Sequence, residues 1–210
     1  MAAVTPLRYT EHTFDWRRRE GSSTAKVIIL GIDPGLANTG WGLVEVEGNR
    51  FRCVGYGCVT TTGDRDLAER LKTVHDELAL LIALHAPAEA ALESVYFSNN
   101  AQTAMVTGQA RGAALVAVAS AGIPVGEYGP GEIKQAVTGN GSADKRQIAY
   151  MVRALLGLAE EPKPDHAADA LAAAICHANC RVARAREREA ARKTGPARSK
   201  AGARPSGAGR

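Results

Sequence analysis

The chain of 210 residues lacks the features that would assign it to a membrane or an exported class. No run reaches the roughly 18 consecutive apolar residues that a membrane-spanning helix needs, so we expect no contact with a membrane. Arg17–Arg19 is not followed by an apolar segment, so the N-terminus does not resemble a secretory signal. The cysteines lack the spacing of a zinc site, and we expect structural or free thiols in a reducing cytoplasm: Cys53, Cys58, Cys176 and Cys180.

The positive charge of the chain is concentrated at its C-terminal end. Residues 181–210 hold ten Lys or Arg and two Glu, a net charge of +8, whereas the whole chain carries +4, which leaves −4 for residues 1–180. A basic tail on an acidic body is typical of a nucleic-acid enzyme whose site binds cations. The alternative is a disordered tail that only aids solubility. We expect a globular domain over residues 26–180, between a disordered extension (1–25) and a disordered basic tail (181–210).

The pattern between the two tails is mixed α/β. The first three predicted strands are joined by short connections, which favours an antiparallel meander. The order of elements is similar to that of the ribonuclease H-like fold, a five-stranded mixed sheet of three antiparallel and two parallel strands flanked by helices. We predict strands at Lys26–Asp33, Gly40–Val46, Arg50–Thr61, Ala88–Glu93 and Ile123–Tyr128, and helices after Asp66 and at Asn100–Ala121, Ser142–Leu156 and Asp165–Cys180.

Leu30–Thr39, reading LGIDPGLANT, is the most informative segment of the sequence. An apolar, β-branched run ends at Asp33, and Pro34 and Gly35 then break the strand. An unpaired carboxylate at the end of a buried strand is costly. A metal ion or a phosphate-binding role would explain it; the alternative is an Asp that only caps the turn.

Three further candidates for the same site follow from the expected fold. Glu93 also ends an apolar strand, and parallel first and fourth strands would bring it beside Asp33. His166 and Asp169 are three residues apart on one helical face. Clustered carboxylates repel one another unless divalent cations neutralise them, and oxygen ligands suit Mg²⁺ or Mn²⁺. Two such ions would support hydrolysis of a phosphodiester. The alternative for Asp165 and Asp169 is a favourable placement at a helix N-terminus.

Four motifs follow one another along the sequence: Ile29–Gly35, Glu93–Phe97, Gly108–Gly112 and His166–Ala172. Together they resemble the RuvC family of bacterial Holliday-junction resolvases, over roughly residues 26–178. The resemblance implies a homodimeric, Mg²⁺-dependent endonuclease that resolves four-way junctions by symmetric paired nicks in homologous recombination and DNA repair. It also implies cleavage within short thymine-containing sequences and cooperation with the RuvA–RuvB branch-migration complex.

The resemblance also implies roles for single residues. Asp33, Glu93 and Asp169 match the family's catalytic, metal-binding acids. The position three before the last acid is Asp in some members and His in others, and here it is His166. Asp165, its neighbour, is the alternative ligand, but adjacent residues point in different directions on a helix.

DNA contacts are expected from stacking and from positive charge. Tyr96 stands where the family places an aromatic that stacks on an exposed junction base, whereas we expect Phe97 in the core. Lys134, Lys145 and Arg146 flank a glycine-rich loop before a helix N-terminus, which is a plausible phosphate site. The alternative for these three side chains is ordinary solvated surface.

The Ala-rich helix Asn100–Ala121 could pack closely across a twofold axis, or be buried within one subunit. Arg111 on that helix is expected to serve structure or a dimer more than DNA.

Other functions fit the sequence less well. The turn Gly31–Gly35 also resembles the first phosphate loop of actin-like ATPases and sugar kinases, but those proteins need a second glycine-rich loop and a chain about twice this length. A junction-binding scaffold without catalysis is a third possibility, although every acidic-site position holds a chemically able residue. A ribonuclease H-like nuclease that acts on RNA is the fourth.

Overall fold

A single mixed sheet organises the chain, with strand order β3-β2-β1-β4-β5. The computed structural model describes residues 26–94 and 101–194, with the side chains of 101 and 182–194 left aside. The strands are β1 (Val27–Asp33), β2 (Asn38–Glu47), β3 (Arg50–Thr60), β4 (Glu89–Glu93) and β5 (Val125–Tyr128). The helices are α1 (Leu67–His85), α2 (Ala101–Ser120), α3 (Pro130–Thr138), α4 (Lys145–Leu156) and α5 (Asp165–Thr194).

The strand pairing confirms the predicted ribonuclease H-like arrangement. Strands β1, β2 and β3 form an antiparallel meander, and its second turn passes through Gly48 with a φ of 60°. Strand β4 then pairs parallel with β1, and β5 parallel with β4. Because parallel strands end at the same edge of a sheet, β1 and β4 bring their carboxyl ends together.

The two faces of the sheet carry different helices. On one face, alternate residues such as Leu30, Ile32 and Leu92 are fully buried in a core with α1 and α2. On the other face, α5 lies so close to β1 that a Cβ on Gly31 would stand 1.9 Å from the Ala170 carbonyl oxygen. Only glycine permits such an approach of backbone to backbone.

Helix α1 begins where the sequence predicted. The Asp66 side chain is the N-cap and accepts a hydrogen bond of 2.8 Å from the Glu69 N–H. This contact satisfies one of the free amide groups of the first helical turn. The buried face of α1 is formed by Val74, Leu78 and Leu81, which pack on the sheet.

Two elements differ from the sequence prediction. Helix α3 was not predicted; it begins with Pro130 after Gly129, and a pyrrolidine ring fits the first turn of a helix. Helix α5 was predicted to end at Cys180, with disorder from Arg181, but it continues to Thr194. Residues 181–194 are rich in Ala, Arg and Glu, which are strong helix formers, and the first breakers are Gly195 and Pro196.

Several predictions concern residues outside the described ranges. These are the N-terminal extension, the tail beyond Thr194, the stacking role of Tyr96 and the core position of Phe97. The four cysteines are free thiols, as expected, and Cys176 is buried. None of the helices in the described ranges is long and apolar enough to cross a membrane.

Candidate active site

Asp33 and Glu93 end two neighbouring parallel strands. The register pairs Ile32 with Leu92, so the next residue of each strand carries the acid. Both Ile32 and Leu92 point into the core with α1. Because successive side chains alternate, Asp33 and Glu93 point to the opposite face, which α5 covers. The sequence placed these two acids together, and the structure does the same.

The first turns of α5 bring His166 and Asp169 to this edge of the sheet. The His166 Nδ1 lies 2.7 Å from the Asp33 Oδ2. The backbone of α5 comes equally close here, because a Cβ on Gly40 would stand 1.9 Å from the His166 carbonyl oxygen. Asp165 is the exposed first residue of the helix. The geometry therefore places His166, rather than its neighbour, against Asp33.

The carboxylates at this edge affect one another's ionisation. Burial, and after it the charges of Asp33 and Asp169, raise the pKa of Glu93 to about 7 against the opposing effect of Lys145 and Lys134. Burial also raises the pKa of Asp169, followed by the charge of Asp33. A protein that gathers carboxylates where their ionised form is disfavoured has an electrostatic demand for a cation.

The donor set fits a hard divalent cation. Three carboxylates offer the oxygen ligands that Mg²⁺ prefers, and an imidazole is tolerated by Mn²⁺. Within the two described ranges, no three His, Cys, Asp or Glu side chains are already arranged to hold an ion. The His166 ring hydrogen-bonds Asp33 instead. Ligation by this set therefore requires side-chain rotation, and the chemistry of the donors, rather than their present positions, carries the assignment.

Two of the three predicted DNA-contacting cations lie beside the acids. The Lys145 Nζ stands 3.8 Å from the Asp169 Oδ2, with 73% of the side chain exposed. Lys134, on α3, is close enough to act on the charge of Glu93. Arg146 instead lines a separate open cavity of about 640 Å³ with Asn140 and other residues of the loop before α4. The structure thus brings the lysines to the site, whereas Arg146 lines a cavity that includes none of the four candidate ligands.

Arg111 takes the structural place that the sequence suggested. On α2, its guanidinium donates a hydrogen bond to the Glu127 carboxylate of β5. The pair fastens the helix to the edge strand of the sheet, and Glu127 remains about half exposed.

A groove of about 380 Å³ is lined by His166 and by an arginine that was not predicted from the sequence as a site residue. Arg70, on α1, lines this groove with Asn38 and Gly35. Its Nε donates to the Thr61 hydroxyl at 2.9 Å, and that hydroxyl donates to the Leu36 carbonyl at 2.5 Å. The chain of contacts fixes the turn after Asp33. A charged residue within the apolar stripe of α1 was the available signal.

Comparison with known proteins agrees with this geometry. The family model described as crossover junction endodeoxyribonuclease RuvC matches residues 29–177. A protein of that name from Heliobacterium modesticaldum is 50% identical over 153 residues, covering 73% of this chain and 94% of the relative. Its namesake from Chloroflexus aggregans is 54% identical over 149 residues, covering 71% and 91%. The solved structure of T. thermophilus RuvC in complex with a Holliday junction substrate is 38% identical, with a TM-score of 0.71, and covers 74% of this chain and 94% of that one.

Proposed function

The chain belongs to the RuvC family of crossover junction endodeoxyribonucleases, and on that basis we propose that it resolves Holliday junctions at a Mg²⁺-dependent site formed by Asp33, Glu93, His166 and Asp169. It nicks two opposing strands of a four-way junction symmetrically by phosphodiester hydrolysis, in homologous recombination and DNA repair. The observation that carries the proposal is the convergence of acids from β1, β4 and α5, in which burial and then the charges of Asp33 and Asp169 raise the pKa of Glu93.

The roles of the site residues follow from their chemistry. Asp33, Glu93 and Asp169 provide carboxylate oxygens for ligation, and His166 provides an imidazole nitrogen. Two bound Mg²⁺ ions, or Mn²⁺ ions in their place, would supply an activated water and stabilisation of the leaving 3′ oxygen. The hydrogen bond between His166 and Asp33 keeps the two side chains next to each other, and they would rotate to ligate an ion.

The surroundings of the acids supply contacts for DNA. Lys134 and Lys145 carry positive charge to the rim of an otherwise acidic site, where phosphates of the substrate must approach. We assign Arg146 to a more distant phosphate and Tyr96 to stacking on a junction base. Stacking of this kind contributes about 1–3 kcal/mol per base. The relative from T. thermophilus, whose structure contains a Holliday junction, supports this substrate.

We further propose that the enzyme acts as a cytoplasmic homodimer with the RuvA–RuvB complex as partner. Large apolar side chains remain exposed on α1 and α2, among them Leu80, Leu84, Met105 and Val116, each more than half exposed. Exposed apolar surface of this kind favours an interface. A twofold axis there would match two active sites to the two equivalent strands of a symmetric junction, which explains paired nicking. The free thiols fit a reducing compartment.

The test is a nicking assay on a synthetic four-way junction with Mg²⁺, run beside linear duplex, nicked duplex and an RNA–DNA hybrid. We expect paired nicks confined to the junction. Asp33→Asn should abolish them while leaving junction binding nearly unchanged, because a ligand is lost and the phosphate contacts remain. Asp76→Asn makes the same chemical change on the exposed surface of α1 and should cleave like the wild type. Cleavage by Asp33→Asn would remove Asp33 from the metal site, and hydrolysis of the hybrid would indicate a ribonuclease.

A further inference from the structure

A chain of three polar side chains crosses the buried face between α5 and the sheet, away from the proposed ligands. The Tyr128 hydroxyl lies 2.8 Å from the His177 Nδ1, and the His177 Nε2 lies 2.7 Å from the Glu89 Oε2. Tyr128 and His177 are 3% and 7% exposed. A carboxylate only accepts, so Nε2 donates to Glu89, and in the neutral imidazole Nδ1 accepts from the tyrosine hydroxyl.

The three members come from the same elements that carry the active site. Glu89 begins β4 and Glu93 ends it, and both point to the face that α5 covers. Tyr128 is the register partner of Glu93, and its carbonyl accepts a hydrogen bond of 2.8 Å from the Ser94 N–H. His177 lies eight residues beyond Asp169 on α5, a rise of about 12 Å. The hydrogen-bonded side chains therefore connect α5, which carries Asp169, to β5 and to β4, which ends at Glu93.

Close packing already holds α5 against the sheet. A Cβ on Gly31 would meet the backbone of Ala170 and Ala174, and Gly42 leaves room for the Leu171 side chain, whose Cδ2 would lie 2.7 Å from a Cβ there. Further along the helix, the His177 ring occupies the space left by Gly126, where a Cβ would stand 2.4 Å from Nδ1. The two hydrogen bonds of this ring are directional, so they set the position of the helix along the sheet.

We propose that the Tyr128–His177–Glu89 chain is a positioning device, which sets α5 along the sheet so that His166 and Asp169 face Asp33 and Glu93. His177 is its central positioning residue, and it acts on the cation site through the helix, without contact to substrate or ion. This inference rests on the ligand set proposed above. It requires that breaking the hydrogen bonds of Tyr128, His177 and Glu89 weakens cation binding more than it weakens junction binding.

The experiment measures Mn²⁺ binding to the DNA-free protein by electron paramagnetic resonance, together with junction affinity without divalent ions and single-turnover nicking. Tyr128→Phe removes only the hydroxyl, and His177→Gln keeps a donor toward Glu89. We expect each to weaken Mn²⁺ binding about tenfold and to slow nicking, with unchanged junction affinity. The double variant should lose little more than either single one, because both changes break one chain.

Ile82→Val is the matched control, because it loosens the core on the opposite face of the sheet with a comparable loss of stability. It should leave Mn²⁺ binding unchanged. Tyr128→Phe with wild-type Mn²⁺ affinity and only a lower melting temperature would overturn the positioning role. If His177→Gln does not fold, Tyr128→Phe decides alone. Asp169→Asn is measured in parallel: wild-type Mn²⁺ affinity in that variant would refute the ligand set itself, a result distinct from failure of the chain.

Discussion

Gly40→Ala tests whether the close approach of α5 to the sheet builds the active site. The new Cβ would stand 1.9 Å from the His166 carbonyl oxygen and 3.0 Å from the His166 Cβ. Side-chain Cβ atoms essentially never approach below 3.0 Å, so the helix start must move by at least about 1.1 Å, the difference between the two distances. The obstacle is backbone, which no rotamer change can relieve.

The magnitude of the effect follows from that displacement. Overpacking of a close-packed interior costs about 1–3 kcal/mol, and a misplacement of about 1 Å at a reacting centre costs about 100-fold in rate. We therefore expect Gly40→Ala to lower the free energy of unfolding in urea by about 1–3 kcal/mol. Single-turnover nicking should fall by about 100-fold, while junction binding changes little because the lysines lie on other elements.

The matched control is Gly131→Ala, the same substitution at an exposed position of α3 where a Cβ meets nothing within 4 Å. It should stabilise the protein by about 0.5–1 kcal/mol, since alanine favours the helix over glycine, and leave nicking unchanged. Wild-type stability and nicking rate in Gly40→Ala would refute the argument, because they would show that the helix start tolerates displacement without effect on the site.

Three further outcomes are expected. His166→Ala should slow turnover and change the preference between Mn²⁺ and Mg²⁺, whereas the exposed Asp165→Ala should not; the reverse order in a metal titration would shift the ligand by one residue. In EDTA, the pKa of Glu93, about 7 in the folded protein against an ordinary 4.5, should make the free energy of unfolding fall as pH rises from about 4.5 through 7, by up to about 3 kcal/mol. Asp169→Asn should lower the pKa of Glu93, so its free energy of unfolding should fall less steeply over the same pH range. Urea melts that show the same pH dependence in both proteins would contradict this prediction. Removal of residues 181–210 deletes a net charge of +8 and should weaken non-specific DNA binding and its salt dependence, without changing the rate of nicking. An unchanged dependence of DNA affinity on salt would show that the tail does not contact DNA.

The sequence predicted those parts of the fold whose signal is local. The apolar runs that end at Asp33 and Glu93, and the Asp66 cap of α1, each lie within a few residues of the feature they define. The five strands were predicted from such local signals, whereas the parallel pairing of the first and fourth strands came from the similarity of the element order to the ribonuclease H-like fold. Apart from the C-terminal end of α5, the bounds of the predicted elements shift by only a few residues between prediction and structure, because strand ends and helix caps depend on contacts with the rest of the chain.

The remainder could not be predicted because it depends on distant contacts. The hydrogen bonds of His177 join it to residues 49 and 88 positions away, and no spacing rule connects them. Arg70 similarly acquires its role from Thr61 and the turn after Asp33. Helix α3 is short, at nine residues, and it begins with Pro130 and Gly131, which are poor helix formers, so its sequence is not typical of a helix. The assignment of His166 as a ligand still depends on the resemblance, since the structure shows it only as the partner of Asp33.

The charge distribution of the site explains why its lysines stand where they do. Residues 26–180 carry about −5, and an acidic site repels the phosphates that it must cleave. Lys134 and Lys145 offset that repulsion at the rim, and the same two charges lower the pKa of Glu93 against the effect of its acidic neighbours. When a DNA phosphate pairs with these lysines, their support for ionised Glu93 weakens. The carboxylates then require a cation more strongly, so DNA binding and cation binding should reinforce each other at this edge of the sheet.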